Sequence, residues 1–303
     1  MRVVIALGGN ILLKRGETQT ADNQRANVRT AAQALTKIVE AGHSIVVSHG
    51  NGPQVGLLAL QTAAYSGAGA YPLDVLDAES EGMIGYLIEQ ELRNQLGSDA
   101  LIATLLTQIE IDPKDPAFRS PSKPIGPVYD ELHAEVEAAN HGWSIAPDGD
   151  GYRRVVASPA PQCILEEQVI RFLIERGVIV ICAGGGGIPV ARKADGGFIG
   201  IEAVIDKDHA SALLAETVTA DALLMLTDVD AVYTGFGSGN AKPIKKASPD
   251  DLKAETFAAG SMGPKVEAAR SFVDRTGGQA GIGRLEDALE ILAGRAGTVV
   301  QPA

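Results

Sequence analysis

Two aspartates flank a lysine in the run Asp206-Lys207-Asp208, between an apolar segment and a predicted helix. A lysine oriented by neighbouring aspartates can neutralise negative charge on a phosphoryl group in transfer. That reaction requires of a protein mainly positioning and electrostatic stabilisation. The alternative explanation of the same run is a helix N-terminus with stabilising acids.

A second lysine, Lys265, falls in the first turn of a helix predicted over Gly263–Asp274. A cation at this end of a helix opposes the helix dipole, so it does not add to stability there. The mismatch favours a ligand-binding role for Lys265. A solvated surface lysine is the alternative.

Glycine-rich turns follow three apolar, strand-like runs. Val3–Leu7 runs into Gly8-Gly9-Asn10, Ile45–Val47 into Ser48–Pro53, and Val178–Ile181 is followed by Gly184–Gly187. Backbone without Cβ atoms lets a ligand approach closely, and successive free N–H groups can form a nest for an anion. We therefore expect one anion-binding crevice built from several strand ends. None of these turns matches a P-loop or a dinucleotide-binding fingerprint.

Strand-like and helix-like runs alternate along the chain, which predicts an α/β fold with a largely parallel sheet. In such sheets ligands bind beyond the carboxyl ends of the strands, where the glycine turns lie. The predicted strands are Val3–Leu7, Ser44–Val47, Ala100–Leu106, Val178–Ile181 and Ala222–Leu226. The predicted helices are Asp22–Glu40, Glu79–Leu96, Glu166–Glu175, Asp208–Thr217 and Gly263–Asp274.

Residues 112–162 interrupt this alternation. They contain eight of the 15 prolines and the only tryptophan, Trp143. A long segment of this kind within a compact domain usually has a function or forms a small subdomain. We expect a small lobe over the crevice, with a disordered loop as the alternative.

The composition and net charge argue against several kinds of binding partner. The 303 residues carry a formal net charge of -12, which argues against nucleic acid or an anionic membrane as the main partner. No run reaches the ~18 apolar residues of a membrane span, and the first apolar run is expected to be a strand rather than a signal peptide. The two cysteines, Cys163 and Cys182, indicate neither a disulfide framework nor a zinc site. We expect a cytoplasmic protein.

Seven motifs, in this order, resemble those of the carbamate kinase family, within the amino-acid-kinase superfamily. The resemblance covers nearly the whole chain, from the first strand to Gly297–Val300. The motifs are ALGGN (6–10), VSHGNGPQVG (47–56), SKPIGP (122–127), CAGGGGIPV (182–190), EAVIDKDHA (202–210), LTDVDAVY (226–233) and GSMGPKVEA (260–268).

The resemblance implies one domain over residues 1–303, a three-layer αβα sandwich with a mainly parallel eight-stranded sheet and a small protruding subdomain at about 112–162. Its N-terminal half would bind the carbamate side, and about 178–303 would bind the nucleotide. The implied reaction is the reversible conversion of ATP and carbamate to ADP and carbamoyl phosphate with Mg²⁺, in a homodimer. The enzyme would make ATP from carbamoyl phosphate after arginine or related nitrogen compounds are degraded.

The resemblance also assigns residues to roles. The catalytic residues would be Lys207, Asp208 and Lys265. The substrate-binding residues would be Gly8, Gly9, Asn10, Gly50, Asn51, Lys123, Gly185 and Gly186. The nucleotide-binding residues would be Asp228, Asp230, Tyr233 and Met262, together with Lys265. No residue is expected to bind Mg²⁺ directly, since the nucleotide phosphates and water would hold the ion.

One departure concerns the wider superfamily, in which many members have a lysine just before the first glycine pair. This chain has Ala6-Leu7 before Gly8-Gly9, so the missing cation must come from elsewhere, and Lys123 is the candidate. Two alternatives stay open. One is a related kinase that forms another acyl phosphate, and the other is a catalytically silent ligand-binding protein of the same fold.

Overall fold

A computed structural model describes the chain except for residues 15, 66–70, 238, 254, 256 and 258–261, and the side chains of residues 63 and 65. The first two residues of the GSMGPKVEA motif, Gly260 and Ser261, lie outside the described residues.

The regular elements are numbered in chain order. The helices are α1 (Gly9–Leu12), α2 (Ala21–Glu40), α3 (Gly52–Tyr65), α4 (Leu73–Leu96), α5 (Glu131–His141), α6 (Glu167–Ile174), α7 (Lys207–Thr217), α8 (Pro249–Lys253), α9 (Met262–Thr276) and α10 (Ala288–Leu292). The first strands are β1 (Arg2–Leu7), β2 (Ser44–His49), β3 (Ile102–Thr104), β4 (Gln108–Ile111), β5 (Lys123–Tyr129), β6 (Ser144–Asp148), β7 (Gly151–Val156) and β8 (Pro161–Ile164). The remaining strands are β9 (Ile179–Ile181), β10 (Ile188–Arg192), β11 (Phe198–Gly200), β12 (Ala222–Thr227), β13 (Val232–Thr234), β14 (Lys242–Ile244), β15 (Lys246–Ala247), β16 (Gln279–Arg284) and β17 (Thr298–Val300).

The main sheet has eight strands in the order β15-β17-β16-β12-β1-β2-β9-β3. Neighbouring strands run parallel except for β16 and β17, which are antiparallel. The mainly parallel eight-stranded sheet that the family resemblance implies is therefore confirmed. The first glycine-terminated strand, β1, lies at the centre between β12 and β2.

Helices cover both faces of this sheet, because successive side chains of a strand point to opposite faces. Val4 and Ala6 of β1 belong to one hydrophobic core, which includes Phe272 of α9. Ile5 belongs to a second core, which includes Leu35 of α2. The two cores on opposite sides of one sheet make the three-layer αβα sandwich that was predicted.

The predicted elements of the main sheet are present, with shifted ends: the third strand shortens to Ile102–Thr104, and the helix predicted from Glu79 begins at Leu73. Sequence analysis missed helix α3, which follows the second glycine turn, and a four-stranded sheet in the order β11-β10-β4-β8. No described helix is long and apolar enough to cross a membrane.

The proline-rich segment forms regular structure in place of the disordered loop that was the alternative. Strands β5, β7 and β6 make a three-stranded antiparallel sheet accompanied by α5. The Arg154 guanidinium lies 4.6 Å from the centroid of the Trp143 ring and pairs with Glu202 at 3.1 Å. We call residues 123–156 the lobe. The boundary of a protruding subdomain at about 112–162 stays a prediction.

The lobe packs against α3 through two glycines. A Cβ atom at Gly56 would lie 2.4 Å from the Cα atom of Gly126 and 2.6 Å from its nitrogen, so the two backbones touch. Gly126 itself has φ +74°, a conformation that favours glycine. This contact holds β5, the strand that begins at Lys123, against α3.

We expect Gly56→Ala to lower the free energy of unfolding by about 1–3 kcal/mol, because backbone atoms must move to admit the methyl group. Gly82→Ala in α4 is the matched control, since its Cβ would meet only Leu106 Cδ2 at 3.9 Å. There the higher helix propensity of alanine should add about 0.5–1 kcal/mol. Urea denaturation followed by circular dichroism measures both. Equal effects at the two positions would contradict the tight contact with the lobe.

Candidate active site

Four neighbouring strands of the main sheet, β12, β1, β2 and β9, end at the same edge. The turns that follow them are joined by backbone hydrogen bonds: Gly8 N–H donates to the carbonyl of Leu226 at 2.9 Å, and Gly50 N–H donates to that of Leu7 at 3.0 Å. A Cβ atom at Gly8 would lie 2.9 Å from the Leu226 oxygen, and one at Gly50 would lie 2.9 Å from the Gly9 nitrogen. Glycine therefore lets the first two turns lie side by side.

A compact charge cluster stands beside these turns. Lys207 Nζ lies 3.1 Å from Asp208 Oδ1, and Lys265 Nζ lies 3.0 Å from Asp208 Oδ2. Lys207 Nζ also donates to the carbonyl of Leu7, at 3.2 Å, so it lies directly beneath the first glycine turn. All three side chains are at least 86% buried. The structure thus joins the three predicted catalytic residues, two cations on one carboxylate, although their roles stay predictions.

The charge of this cluster is set by burial and by pairing. Burial lowers the pKa of Lys207, and the neighbouring carboxylate of Asp208 opposes that effect. Burial alone would raise the pKa of Asp208, but Lys207 and Lys265 outweigh it and hold that pKa below its ordinary value. Asp208 is therefore ionised at neutral pH. With both lysines protonated, the cluster carries a net positive charge facing the strand ends.

Helix α7 begins at this cluster because Asp206 caps it. Asp206 Oδ1 accepts hydrogen bonds from the backbone N–H groups of Asp208 at 2.9 Å and His209 at 3.4 Å. Its other oxygen, Oδ2, lies 2.5 Å from Lys123 Nζ of the lobe. Although burial would raise the pKa of Asp206, Lys123 holds it well below the ordinary value. The alternative explanation of the acids is thus correct for Asp206, which stabilises the helix.

Two predicted nucleotide-binding residues, Asp228 and Asp230, follow β12. Asn10 Nδ2 donates to Asp228 Oδ2 at 3.2 Å, which links the first glycine turn to the end of β12. The Tyr233 hydroxyl donates to the carboxylate of Asp230, at 3.1–3.2 Å. Met262 is the first residue of α9, the helix that carries Lys265. Within the described part of the chain, no hydrogen bond joins Asp230 or Tyr233 to the charge cluster.

The four consecutive glycines do not form the nest of free N–H groups that the sequence indicated. The N–H of Gly184 donates to Glu81 Oε1 at 2.7 Å, that of Gly186 to the carbonyl of Ala183 at 3.3 Å, and that of Gly187 to the carbonyl of Gly184 at 2.9 Å. Most of these amides are therefore occupied inside the protein. Gly185 and Gly186 as substrate-binding residues stay predictions.

Close packing explains these glycines. A Cβ atom at Gly184 would lie 2.3 Å from His49 Nε2, and one at Gly185 would lie 2.2 Å from Asn51 Nδ2. Gly185 also has φ +70°. The third glycine turn therefore lies against the residues of the second turn and supports them.

Three polar residues on α4 were missed by sequence reasoning. Asp77, Ser80 and Glu81 are buried on the helix face that continues into the apolar stripe of Ile84 and Ile88. The helical spacing could have revealed them. Extending the apolar stripe towards the N-terminus of α4 reaches these three residues.

Glu81 connects two turns. Besides Gly184 N–H, its carboxyl group accepts a hydrogen bond from the backbone N–H of Thr107 at 3.0 Å. Burial raises its pKa to about 8, against an ordinary value of 4.5. Glu81 thus holds the third glycine turn against α4, and its raised pKa favours the protonated carboxyl group near neutral pH.

The chain belongs to the amino acid kinase family, whose family model matches residues 1–282. The fold and the crevice described above are thus those of a family of kinases.

Full-length relatives place the chain among the carbamate kinases of that family. The carbamate kinase of Haemophilus influenzae is 55% identical over 298 residues, which are 98% of this chain and 96% of the relative. That of Pyrococcus horikoshii is 46% identical over 312 residues, covering 99% of each chain. The structure of carbamate kinase from Giardia lamblia bound to AMP-PNP superposes with a TM-score of 0.91 at 42% identity, covering 100% of this chain and 98% of that one.

The raised pKa of Glu81 predicts a pH-dependent stability. The folded protein binds this proton more tightly than the unfolded chain does, so the contribution is complete below pH 4.5 and is lost as pH rises through about 8. We expect the free energy of unfolding to fall between pH 6 and pH 9, and to fall less in Glu81→Gln. Urea denaturation at pH 6, 7.5 and 9 measures both slopes.

Asp77, whose pKa burial also raises, adds a slope of the same sign, so the difference between wild type and Glu81→Gln isolates Glu81. Glu91→Gln is the control, because Glu91 is buried on the same helix and pairs with Arg29. Its slope should match that of wild type. Equal slopes in wild type and Glu81→Gln would show that Glu81 is ionised in the folded protein.

Proposed function

We propose that this protein catalyses reversible phosphoryl transfer between ATP and carbamate, giving ADP and carbamoyl phosphate. The observation that carries the proposal is the pair of buried lysines on one ionised carboxylate, Asp208, at the shared end of four strands. The full-length similarity to carbamate kinases supports the choice of substrates.

Lys207 and Lys265 stabilise charge on the transferring phosphoryl group. Both ammonium groups are fixed about 3 Å from Asp208, so they need no large rearrangement as charge develops in the transition state. Preorganised charge in a site that excludes water stabilises a transition state far more strongly than the same charge in water. Asp208 does not contact the phosphoryl group itself. It keeps the two cations in place.

The carbamoyl group lies between the first two glycine turns, with Gly8, Gly9 and Asn10 on one side and Gly50 and Asn51 on the other. The contact of these turns supports this arrangement, because it brings the residues of both turns to the same edge of the sheet. Lys123 of the lobe supplies the cation that the first strand lacks. In this structure Lys123 pairs with Asp206, the residue directly before Lys207.

The nucleotide lies on the side of β12 and α9, near Asp228, Asp230, Tyr233 and Met262. The relative from Giardia lamblia that was solved with AMP-PNP supports ATP and ADP as substrates. Mg²⁺ reaches the site bound to the nucleotide phosphates and water, which suits its reluctance to lose its hydration shell.

The physiological direction that we propose is ATP formation from carbamoyl phosphate, in the cytoplasm and by a homodimer. A coupled assay of ATP formation by the purified protein tests the reaction, with carbamoyl phosphate, acetyl phosphate and an acylglutamyl phosphate compared at equal concentration. Carbamoyl phosphate should be used best. Preference for another acyl phosphate would assign a different substrate, and no ATP from any of them would indicate a silent ligand-binding protein.

We expect Lys207→Ala and Lys265→Ala each to reduce kcat for ATP formation by on the order of 10²-fold or more, because each removes a preorganised charge. Lys253→Ala is the matched control, since Lys253 is an exposed lysine paired with Asp250 and should leave kcat unchanged. Steady-state kinetics with carbamoyl phosphate and ADP give the values. Near-normal turnover in both cluster variants would refute the assigned roles.

A further inference from the structure

The side-chain amide of Asn51 is held by α4. Its Nδ2 atom lies 3.1 Å from Asp77 Oδ1 and 2.8 Å from Ser80 Oγ. All three residues are buried, with exposed fractions of 3% or less. The amide group therefore has fixed partners on one side, although Asn51 belongs to the second glycine turn at the edge of the crevice.

Ser80 determines which way the amide points. The Ser80 hydroxyl donates its only proton to the backbone carbonyl of Asp77, at 3.0 Å. With its proton on this carbonyl, the Ser80 oxygen accepts, and the NH₂ group of Asn51 faces it. A flipped amide would require the Ser80 hydroxyl to turn away from the Asp77 carbonyl.

The Oδ1 atom of Asn51 is consequently turned away from α4. Within the described residues it accepts no hydrogen bond, since both bonds of the amide are made by Nδ2. It lies beside the third glycine turn, where a Cβ atom at Gly185 would be 2.8 Å from it. The turn that carries it lies against the first glycine turn, since Gly50 N–H donates to the carbonyl of Leu7.

An acceptor in this place distinguishes two substrates of nearly equal size. Carbamoyl phosphate carries an NH₂ group where acetyl phosphate carries a methyl group. An NH₂ group donates to a carbonyl oxygen, whereas a methyl group would leave that oxygen desolvated and unpaired. Sites built to bond a substrate N–H or O–H reject the analogue without it much more strongly than apolar pockets reject a change of size.

We propose that Asp77 and Ser80 are positioning residues that hold the Asn51 amide with Oδ1 towards the crevice, where it selects the amino group of the carbamoyl moiety over a methyl group. This inference rests on the proposed function. It adds to that function the group that tells a carbamoyl phosphate from an acetyl phosphate, and two residues that act through Asn51 without touching the substrate.

The test is the ratio of kcat/KM for carbamoyl phosphate to kcat/KM for acetyl phosphate, measured on one preparation of each variant. The fraction of folded enzyme cancels in this ratio, so a purely structural role would not move it. We expect Ser80→Ala and Asp77→Ala each to lower the ratio by about tenfold, because the amide loses a partner that fixes its direction. Asp77→Asn keeps an acceptor of the same shape and should retain a ratio within about threefold of wild type.

Glu91→Gln is the matched control, since Glu91 is a buried carboxyl further along α4, paired with Arg29, and should leave the ratio unchanged. Active Ser80→Ala and Asp77→Ala enzymes with the wild-type ratio would overturn the inference while leaving the proposed function intact. If Asp77→Ala does not fold, Ser80→Ala decides alone. A wild-type enzyme that forms no ATP from carbamoyl phosphate would overturn the proposed function, and this inference with it.

Discussion

The pairing of Asp208 with Lys207 and Lys265 is the interaction on which the crevice depends. Two ammonium groups this close would repel each other strongly in a buried place, and neither would keep its proton easily without an opposite charge. The ionised carboxylate between them makes the pair stable and fixes both cations about 3 Å from its oxygens. The protein has a net charge of -12, so this local positive charge is built against the mean charge of the chain.

The rest of the fold brings this cluster to one edge of a sheet. Lys207 and Asp208 begin a helix capped by Asp206, and Lys265 comes from the first turns of another helix, 57 residues away from Asp208. The strand ends can lie close together because glycines remove the side chains that would keep them apart. Buried polar groups of α4 then hold the second and third glycine turns in place. Charge, close backbone packing and a polar helix face thus determine one crevice.

The sequence predicted the central strands and a largely parallel sheet, because apolar β-branched runs and glycine turns are local signals. The eight strands and the three-layer arrangement were implied by the family resemblance. That Lys207 and Lys265 belong to one site was predicted from the family resemblance and not from their spacing. Residues far apart along the chain carry no local signal of their contact. Asp77, Ser80 and Glu81 were missed because their partners, Asn51 and the backbone of other turns, are set by tertiary packing. For the same reason the expected nest at Gly184–Gly187 was wrong, as internal acceptors already occupy most of its N–H groups.

The central claim is that the charge of Asp208, and not only its shape, keeps two lysines ready for phosphoryl transfer. The most direct measurement is the kcat of Asp208→Asn for ATP formation from carbamoyl phosphate, alongside its KM for ADP. Removing the carboxylate charge while keeping the side-chain size should lower kcat by on the order of 10²-fold and change the KM for ADP much less. A kcat close to that of wild type would contradict the account.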